Sequence, residues 1–401
     1  MGLLKIKSQL LNELYAKNLV KDVINLEKLD EKLALGEKIC VYAGFDLTAD
    51  SLHVGHLVPL NTLKIFHKHG HKIIVLFGGA TTKIGDPSGK DESRKMQNPE
   101  QIQENKAGIM KSVAKFINLD SNVIFLDNDE WIGVMGYIDF LRDVGSHFSV
   151  NKMLTMESVK IRLDRQSHLS FLEFNYMLLQ AYDFYYLREN YGCCMQIGGS
   201  EQWGNIVNGI DLINKKSQQK GDIFGMTMNL VTRSDGKKMG KSEGGAVWLN
   251  EEKMPAYDYY QYFRNVPDGD VANFFTIFTE ISSLDEVLQL DINAQKKRLA
   301  FEVTQICHGE NAAKQAEERA ILEFESGIAT DVLEYNLQNG AEIAEILFNL
   351  GLFPSKGEGK KTIRAGGVKL NNLAIAENYA VIPGEYKLAI GKKRFFKLII
   401  K

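Results

Sequence analysis

Residues 40–56 of the chain read CVYAGFDLTADSLHVGH. The segment opens with a continuous apolar run over residues 40–45, which is typical of a strand buried on both faces of a parallel sheet. A turn rich in Gly, Asp and Thr follows, and a helix is predicted over residues 55–69. A buried strand that leads through a polar turn into a helix predicts a doubly wound α/β sheet.

The same alternation continues beyond this stretch. We predict strands at residues 72–80 (KIIVLFGGA), 122–128 (NVIFLDN) and 195–199 (MQIGG), with helices at 99–117 and 170–190. The first 35 or so residues predict one amphipathic helix. Because ligands of such sheets bind beyond the carboxyl ends of the strands, we expect the loops at those ends to carry the functional residues.

The strand pattern disappears between about residues 250 and 327, where segments such as AYDYYQYFRN predict helices. A further helix and several short strands follow residue 341. We therefore predict three domains. They are an α/β domain with a mostly parallel, Rossmann-like sheet over residues 1–247, an all-α domain over 248–332 and a small α+β domain over 338–401.

Composition excludes several classes of protein. The 401 residues include 48 Lys+Arg and 51 Asp+Glu, with 44% apolar and 10% aromatic content, which excludes a wholly disordered or fibrous chain. Apolar runs such as residues 73–80 are far shorter than the ~20 residues of a membrane-spanning helix. The first residues lack the apolar core of a secretory signal, and the four cysteines form neither a disulfide framework nor a C-x-x-C pair. We expect a reduced, soluble, cytoplasmic protein without a membrane partner.

Charge is distributed unevenly along the chain. Residues 356–401 contain 11 Lys/Arg and 3 Asp/Glu, although the whole chain has a net charge of -3. A basic tail on an acidic body indicates that the tail binds a polyanion, with a merely solvated charged face as the alternative.

His53 and His56 fall at the start of the helix that follows the first strand. A helix amino terminus offers unpaired N–H groups and the positive end of the dipole, which suits a phosphate. Imidazoles there can donate hydrogen bonds to phosphate oxygens, and Gly55 allows a flat ring to lie against the main chain. The pair could also be two surface histidines, or ligands of a metal ion for which the sequence offers no third ligand.

A second loop carries clustered cations. Residues 233–242 read RSDGKKMGKS, and Lys238, Lys241 and Ser242 in a Gly-rich loop can surround a polyphosphate. Alone, the loop could be a solvated basic turn. Together with the turn that carries His53 and His56, here called the histidine turn, it becomes a specific pattern. GDPSGK at residues 85–90 is not a phosphate-binding P-loop, because only three residues separate its glycines and Asp91 follows the lysine.

One predicted helix has a polar stripe. Tyr176, Gln180 and Asp183 stand at positions i, i+4 and i+7, which lie on one face of a helix. Such a stripe on an otherwise apolar segment faces either a binding site or solvent.

These motifs resemble those of a known family. HVGH resembles the HIGH signature of class I aminoacyl-tRNA synthetases, and KMGKS resembles their KMSKS loop. Five segments are similar, in order, to bacterial-type tyrosyl-tRNA synthetases, and together they extend over nearly the whole chain: YAGFDLTADSLHVGH, GGATTKIGDPSGK, NYMLLQAYDF, IGGSEQWGN and GLFPSKGEGKKTIRAGGVKLN. The chain departs from the family pattern at three positions. Val54 replaces Ile, Gly240 replaces Ser, and Glu201 stands where the family usually has Asp.

The resemblance implies a class I catalytic domain with a dimer-forming insertion near residues 131–160 and a KMSKS-type loop at 233–245. It implies that the second domain lies on the anticodon side and that the third is a small RNA-binding domain of a ribosomal-protein type. The implied catalytic residues, which contact the ATP phosphates, are His53, His56, Thr48, Lys90, Arg94, Lys238, Lys241 and Ser242.

The resemblance also implies three sets of binding residues and no bound metal in the protein itself. The tyrosine set comprises Tyr42, Asp86, Tyr176, Gln180, Asp183 and Gln202. The ATP set comprises Gly44, Asp46, Gly55, Gly198, Glu201 and Lys241. The RNA set comprises Lys360, Lys361, Arg364 and Lys369.

The implied activity is ligation of L-tyrosine to tRNA(Tyr) by a homodimer, with ATP as substrate and Mg²⁺ carried on its phosphates. Two other classes remain open. A HIGH-loop nucleotidyl transferase would lack tRNA, and the basic tail and the polar stripe argue against it. An RNA-binding or RNA-folding protein on a synthetase scaffold would not need the intact His53, His56, Lys238 and Lys241.

Overall fold

A computed structural model describes residues 6–86, 98–217, 221–232, 234, 239–242, 245–281, 283–324, 331–337, 341–371, 373–391 and 394–401. At residues 241, 242, 324 and 331 only the main chain is described. The chain divides into two compact units, residues 1–309 and residues 310–401.

The first unit is built on a sheet of six described strands. Their order is β1-β6-β5-β2-β3-β4, and every neighbouring pair is parallel except β1 with β6. This arrangement confirms the predicted doubly wound, mostly parallel fold. The strands are β1 Asp22–Ile24, β2 Cys40–Asp46, β3 Lys72–Gly78, β4 Val123–Asp127, β5 Met195–Gly199 and β6 Phe224–Met228.

The order of the strands fixes where a ligand can bind. From β2 the chain crosses to β3 on one side, whereas β5 lies on the other side of β2. The connections that leave the carboxyl ends of β2 and β5 therefore diverge and leave a crevice between them, which is the usual ligand site of such sheets.

Helices surround this sheet. They are α1 Gln9–Ala16, α2 Leu26–Ala34, α3 Leu57–Lys68, α4 Gly79–Thr82, α5 Pro99–Ala114, α6 Tyr137–Asp143, α7 Val150–Leu154, α8 Glu157–Asp164, α9 Phe171–Tyr191 and α10 Trp203–Lys216. The longest of these, α9, begins at a capping box formed by Ser170 and Glu173 and ends at Gly192 in the left-handed conformation. Across the described ranges, none of the helices combines the length and the apolar content that a membrane crossing requires.

The prediction of a single amino-terminal helix is wrong. The segment contains α1 and α2 separated by strand β1. Asn18 and Asn25 have φ angles of 54° and 62°, so the chain turns sharply on both sides of that strand. Asparagine adopts this left-handed conformation more readily than most residues, which explains why an apolar pattern that looks continuous is interrupted there.

After residue 250 the described part of the first unit is helical, as the sequence predicts. It contains α11 Ala256–Arg264, α12 Val271–Phe278, α13 Leu284–Leu288 and α14 Ile292–His308. This helical segment packs on the sheet domain: Asn61 of α3 donates to the carbonyl of Ile277, and Lys17 donates to the carbonyl of Thr279. Residues 248–309 therefore share one compact unit with the sheet.

The second unit contains α15 Glu310–Phe324, α16 Ile343–Asn349 and α17 Lys356–Arg364. Its sheet has the order β11-β10-β12-β13-β9, with β9 Asp331–Tyr335, β10 Val368–Leu370, β11 Leu373–Ala374, β12 Gly384–Ile390 and β13 Arg394–Ile400. One face of the sheet packs on α16 and α17 through Ile343, Leu347, Ile363, Leu388 and Leu398. The sheet includes residues 331–335, so this α+β fold begins before residue 338, where the sequence analysis starts the domain.

Candidate active site

A cavity of about 430 Å³ lies at the carboxyl ends of β2 and β5, within the size range of small-molecule sites. The cavity brings together residues from widely separated segments of the chain. Its lining includes every predicted active-site residue that the structure describes in full: Tyr42, Gly44, Asp46, Thr48, His53, Gly55, His56, Asp86, Tyr176, Gln180, Asp183, Gly198, Glu201 and Gln202.

The remaining predicted residues of this site are described only in part. Lys90, Arg94 and Lys238 lie outside the described residues. The main chain of Lys241 and Ser242 forms a short strand, β7, which pairs with β8 at Gly245–Ala246.

The histidine turn is held in place by the segment that follows this two-stranded ribbon. Val54 donates its N–H to the carbonyl of Val247 at 2.9 Å, and Leu249 donates to the carbonyl of Leu52 at 2.9 Å. The two main-chain bonds flank His53, which forms an isolated bridge with Trp248. The two motifs that are far apart in the sequence therefore meet in the structure.

The two imidazoles have defined orientations. Nδ1 of His53 accepts from the N–H of Gly55 at 3.0 Å, and Nδ1 of His56 accepts from the N–H of His53 at 3.2 Å. Neutral rings must then carry their proton on Nε2, the atom that would donate to a phosphate oxygen. The ring centroids are 4.1 Å apart.

Two glycines allow the loop stem to approach the histidines. A Cβ on Gly55 would lie 2.7 Å from the His53 ring and 3.4 Å from the carbonyl oxygen of Met239. Gly240 has a φ of +111°, and a Cβ there would lie 3.1 Å from Nδ1 of His53. Any larger residue at either position would displace the imidazole or the stem.

The deep end of the cavity contains a buried carboxylate. Asp183 is 2% exposed and accepts hydrogen bonds from Nε1 of Trp131 at 2.8 Å and from Nδ2 of Asn128 at 3.0 Å. Burial raises the pKa of Asp183 to about 7, although these two hydrogen bonds act in the opposite direction.

A buried hydroxyl belongs to the same end. The hydroxyl of Tyr42 has no hydrogen-bond partner among the described residues, although the side chain is only 1% exposed. Burial, together with the charge of Asp183, raises the pKa of Tyr42 well above its usual value, so the phenol stays protonated. An unsatisfied buried hydroxyl beside a carboxylate suits a ligand group that both donates and accepts a hydrogen bond.

The polar stripe of α9 faces this cavity. Gln180 donates to Oε1 of Gln202 at 3.1 Å and accepts from Asn205 at 2.8 Å, and Gln202 donates to Asp86 at 2.9 Å. Tyr176 donates to Asp46 at 3.2 Å. These bonds place donors and acceptors inside the cavity, and Tyr176 and Asp183 are buried, so the alternative of a plain solvent-facing helix is wrong.

Sequence reasoning missed several residues of this network. Asn128 and Trp131 follow directly after β4, and Thr81 and Asn205 lie on α4 and α10. Asn128 also donates to Thr81 at 3.2 Å, which links the carboxylate to the neighbouring strand end. The rule that ligands bind beyond the carboxyl ends of parallel strands could have found Asn128 and Trp131, because β4 was correctly predicted.

Glu201 lies at the exposed rim of the cavity in the turn after β5. A Cβ on the neighbouring Gly199 would lie 2.4 Å from the Glu201 carboxylate. Only glycine at 199 lets this side chain fold back over the turn.

In the second unit, all four predicted RNA-binding residues are exposed: Lys360, Lys361, Arg364 and Lys369. Lys360 pairs with Glu342 at 3.1 Å. The sheet register adds two cations that the sequence analysis missed. Lys369 is opposite Ala389, and Lys387 is opposite Lys397, so these three lysines share the outer face of the sheet.

No group of three or more His, Cys, Asp or Glu side chains within the described ranges is arranged to hold a metal ion. The absence of a protein-bound metal remains a prediction.

The predicted insertion consists mainly of α6, α7 and α8. Phe140, Met153 and Val159 pack with Met177 and Leu178 of α9. Several large apolar side chains remain exposed on the same segment, namely Val134, Tyr137, Ile138, Leu141, Val150 and Leu154.

Known proteins resemble this chain over most of its length. The family model described as tRNA synthetases class I (W and Y) matches residues 34–325. The tyrosine–tRNA ligase of Rickettsia rickettsii (strain Sheila Smith) is 50% identical over 378 residues, which cover 89% of this chain and 92% of that protein. The tyrosine–tRNA ligase of Rickettsia bellii (strain RML369-C) is 48% identical, covering 96% of this chain and 98% of that protein.

A solved structure shows the same fold. The C-terminally truncated mitochondrial tyrosyl-tRNA synthetase of Aspergillus nidulans superposes with a TM-score of 0.69 at 26% identity, over 79% of this chain and 94% of that chain. The residues matched by the family model include the crevice between β2 and β5, the histidine turn, the polar stripe of α9 and the loop over residues 233–245, here called the lysine loop. The chain belongs to the tryptophan and tyrosine family of class I tRNA synthetases.

Proposed function

We propose that this chain is a tyrosine–tRNA ligase. It activates L-tyrosine with ATP to tyrosyl-adenylate and diphosphate, and then transfers the tyrosyl group to the 3′-terminal ribose of tRNA(Tyr). The observation that carries the proposal is that the buried Asp183 carboxylate and the unsatisfied hydroxyl of Tyr42 both lie at the deep end of the cavity. A phenol hydroxyl donates to the first and accepts from the second, which an indole ring cannot do.

The rest of the cavity suits the amino-acid end of tyrosine. An α-ammonium group needs several acceptors, and Asp86, Tyr176, Gln180 and Gln202 supply oxygens in the network already described. Gln202 holds the Asp86 carboxylate in place through a 2.9 Å hydrogen bond. This arrangement orients the substrate carboxylate toward the histidine turn.

Activation is an in-line displacement at the α-phosphorus of ATP. A new bond forms between the tyrosine carboxylate oxygen and phosphorus, while the bond from phosphorus to the bridging oxygen breaks and the electron pair leaves with diphosphate. The tyrosine carboxylate is already ionised at neutral pH, so no general base is required.

Catalysis therefore consists of positioning and charge stabilisation. The protein groups that stabilise the phosphates are Thr48, His53, His56, Lys90, Arg94, Lys238, Lys241 and Ser242. The part of the cavity that binds the adenosine of ATP is formed by Gly44, Asp46, Gly55, Gly198 and Glu201. Mg²⁺ is carried on the ATP phosphates.

The second unit supplies affinity for tRNA. Its exposed cations Lys360, Lys361, Arg364 and Lys369 neutralise RNA phosphates, and contacts of this kind provide affinity independent of sequence. The reaction takes place in the cytoplasm, where ATP and tRNA are available.

The active form is a homodimer joined through α6–α8. Exposed apolar side chains such as Ile138, at 70% exposure, and Val134, at 79%, form the surface that the second copy covers. Sedimentation of Ile138→Asp should give half the mass of the parent protein. Leu35→Asp, at an equally exposed apolar position on another surface, is the matched control. An unchanged mass for Ile138→Asp would exclude this interface.

The activity is tested by charging. Purified protein, ATP and bacterial tRNA should attach labelled tyrosine to tRNA through a base-labile ester, and should attach tryptophan at no more than background level. Binding of tRNA without charging would favour an RNA-folding protein. Preferential charging with tryptophan would contradict the assignment of the cavity.

A further inference from the structure

A buried carboxylate outside the cavity binds Ser234, near the start of the lysine loop. Both oxygens of Asp270 accept from the main-chain N–H of Ser234, at 2.9 and 3.1 Å, and Oδ2 also accepts from Oγ of Ser234 at 3.3 Å. Asp270 is 6% exposed. Ser234 lies near the start of the loop over residues 233–245, whereas Asp270 belongs to the helical segment at the end of the turn Asp268–Asp270.

This carboxylate is not engaged by its own helix. Asp270 occupies the amino-terminal cap of α12, where an aspartate usually accepts from the second or third N–H of the helix. Within α12, all of whose residues are described, the Asp270 side chain makes no such bond. Its acceptor capacity goes to Ser234 instead, and charge-assisted bonds to main-chain N–H groups are among the stronger hydrogen bonds in proteins.

The other end of the loop is anchored in the active site. Met239 donates its N–H to the carbonyl of Val231 at 2.9 Å, and Val247 donates to the carbonyl of Gly240 at 3.1 Å. Met239 and Gly240 also lie against the histidine turn, as the distances to Gly55 and His53 show. Ser234 and Met239 are therefore two fixed points of the loop, and Lys238 lies between them in the sequence.

We propose that Asp270 is a positioning residue for tyrosine activation, which fixes the amino-terminal end of the lysine loop so that Lys238 and Lys241 reach the leaving diphosphate. The inference rests on the proposed function. It makes the helical segment a contributor to the chemical step. A displacement of about 1 Å in a group that stabilises a transition state lowers the rate on the order of 100-fold, so loss of one anchor should be measurable.

The test is a double-mutant cycle on tyrosine-dependent exchange of diphosphate into ATP. Asp270→Ala should lower kcat at least about tenfold while the tyrosine dissociation constant stays within about twofold. In a Lys241→Ala background, the same change should lower kcat by less than about threefold, because its effect passes through the loop. Asp270→Asn keeps one acceptor for Ser234 and should give an intermediate loss.

Two controls separate this role from general destabilisation. Asp268→Ala removes a neighbouring carboxylate that pairs with Lys296 at 2.5 Å, and should leave exchange unchanged. Ser234→Ala removes only the weakest of the three hydrogen bonds and should have a small effect. If Asp270→Ala does not fold, Asp270→Asn takes its place in the cycle.

Several results would overturn the inference. Unchanged exchange by Asp270→Ala, or an equal loss in both backgrounds, shows that Asp270 does not act through the loop. A parallel loss of tyrosine affinity shows that it supports the whole cavity instead. Absence of tyrosine-dependent exchange in the unmodified protein removes the proposed function itself, and with it this inference.

Discussion

The indole Nε1 of Trp131 donates a hydrogen bond to Oδ1 of Asp183 at 2.8 Å, at the buried end of the cavity. Asn128 donates to the other oxygen of the same carboxylate at 3.0 Å. The carboxylate is therefore fixed in direction before any ligand arrives. A site arranged in this way incurs no reorganisation cost when a substrate hydroxyl binds, and leaves its groups unsatisfied when a ligand lacks that hydroxyl.

Selectivity for tyrosine over phenylalanine should depend on Asp183. We expect Asp183→Ala to lose most activity toward tyrosine and to narrow the preference for tyrosine by about tenfold or more, because a buried unsatisfied carboxylate no longer penalises phenylalanine. Tyr42→Phe should retain more of the activity toward tyrosine and more of the preference for tyrosine, since a neutral hydroxyl contributes less binding energy than a carboxylate. The measurement is kcat/KM for exchange with each amino acid. If Asp183→Ala kept the wild-type preference for tyrosine over phenylalanine, the polar stripe of α9 would not contact the phenol hydroxyl of the substrate.

Tyrosine affinity should rise with pH and level off above about pH 7. Asp183 has a pKa of about 7 in the free protein, because it is buried and lies near Asp46 and Asp127. A phenol that donates to the ionised carboxylate lowers that pKa in the complex, so binding releases a proton and weakens by up to about tenfold per pH unit below 7. The phenols of Tyr42 and Tyr176 have raised pKa values and remain neutral in this range.

Equilibrium dialysis with tyrosine between pH 5.5 and 8.5 tests this dependence. Asp183→Asn, which cannot ionise, should bind more weakly and show a flat profile. An affinity that is already constant from pH 5.5 upward in the unmodified protein would mean that Asp183 does not titrate there on binding.

The sequence predicted the framework of this site because its signals are local. Strands β2 and β3 are continuous apolar runs, and the positions i, i+4 and i+7 on α9 define one helix face without any knowledge of the fold. Strand β6, whose sequence FGMTM contains Gly and Thr, gives no comparable pattern and was missed. Its place in the sheet is set by pairing with β5 and β1, which is a tertiary interaction.

Sequence patterns could not predict the residues that act through tertiary contacts. Trp131 meets Asp183 only because α9 packs across the end of β4, and Asp270 meets Ser234 across 36 positions of chain. Neither pair has a characteristic spacing. Asn18 and Asn25 likewise interrupt the predicted amino-terminal helix through their left-handed main-chain conformation. The apolar spacing of that segment gives no sign of the interruption.

Gly240 should be needed for activation because of its contact with His53. We expect Gly240→Ala to lower the exchange rate by about tenfold, since the new Cβ would lie 3.1 Å from the His53 ring. Gly245→Ala is the matched control: it has a similar φ of +112°, but its Cβ would meet nothing within 4 Å. Both variants carry the backbone strain of a positive φ, so the difference between them reports the contact. Equal rates in the two variants would show that the loop stem does not press on the imidazole during the reaction.

The cations of the second unit should contribute to tRNA binding and not to activation. Reversing Lys361 and Arg364 to Glu should weaken tRNA binding and lower the slope of log K against log salt by about 1–2, as expected for two lost phosphate contacts. Diphosphate exchange, which needs no tRNA, should stay unchanged. The control reverses Lys21 and Lys28, two exposed lysines of the first unit. An equal loss of tRNA affinity in the two double variants would indicate an effect of net charge alone.

Exchange of labelled diphosphate into ATP by the purified protein, measured with and without tyrosine, is the decisive test of tyrosine activation in this cavity. It requires ATP, Mg²⁺ and tyrosine and no tRNA, so it isolates the chemistry assigned to the cavity. We predict exchange that depends on tyrosine, is much weaker with phenylalanine or tryptophan, and is lost in His53→Ala. Exchange that proceeds equally well without any amino acid, or that prefers tryptophan, would contradict it.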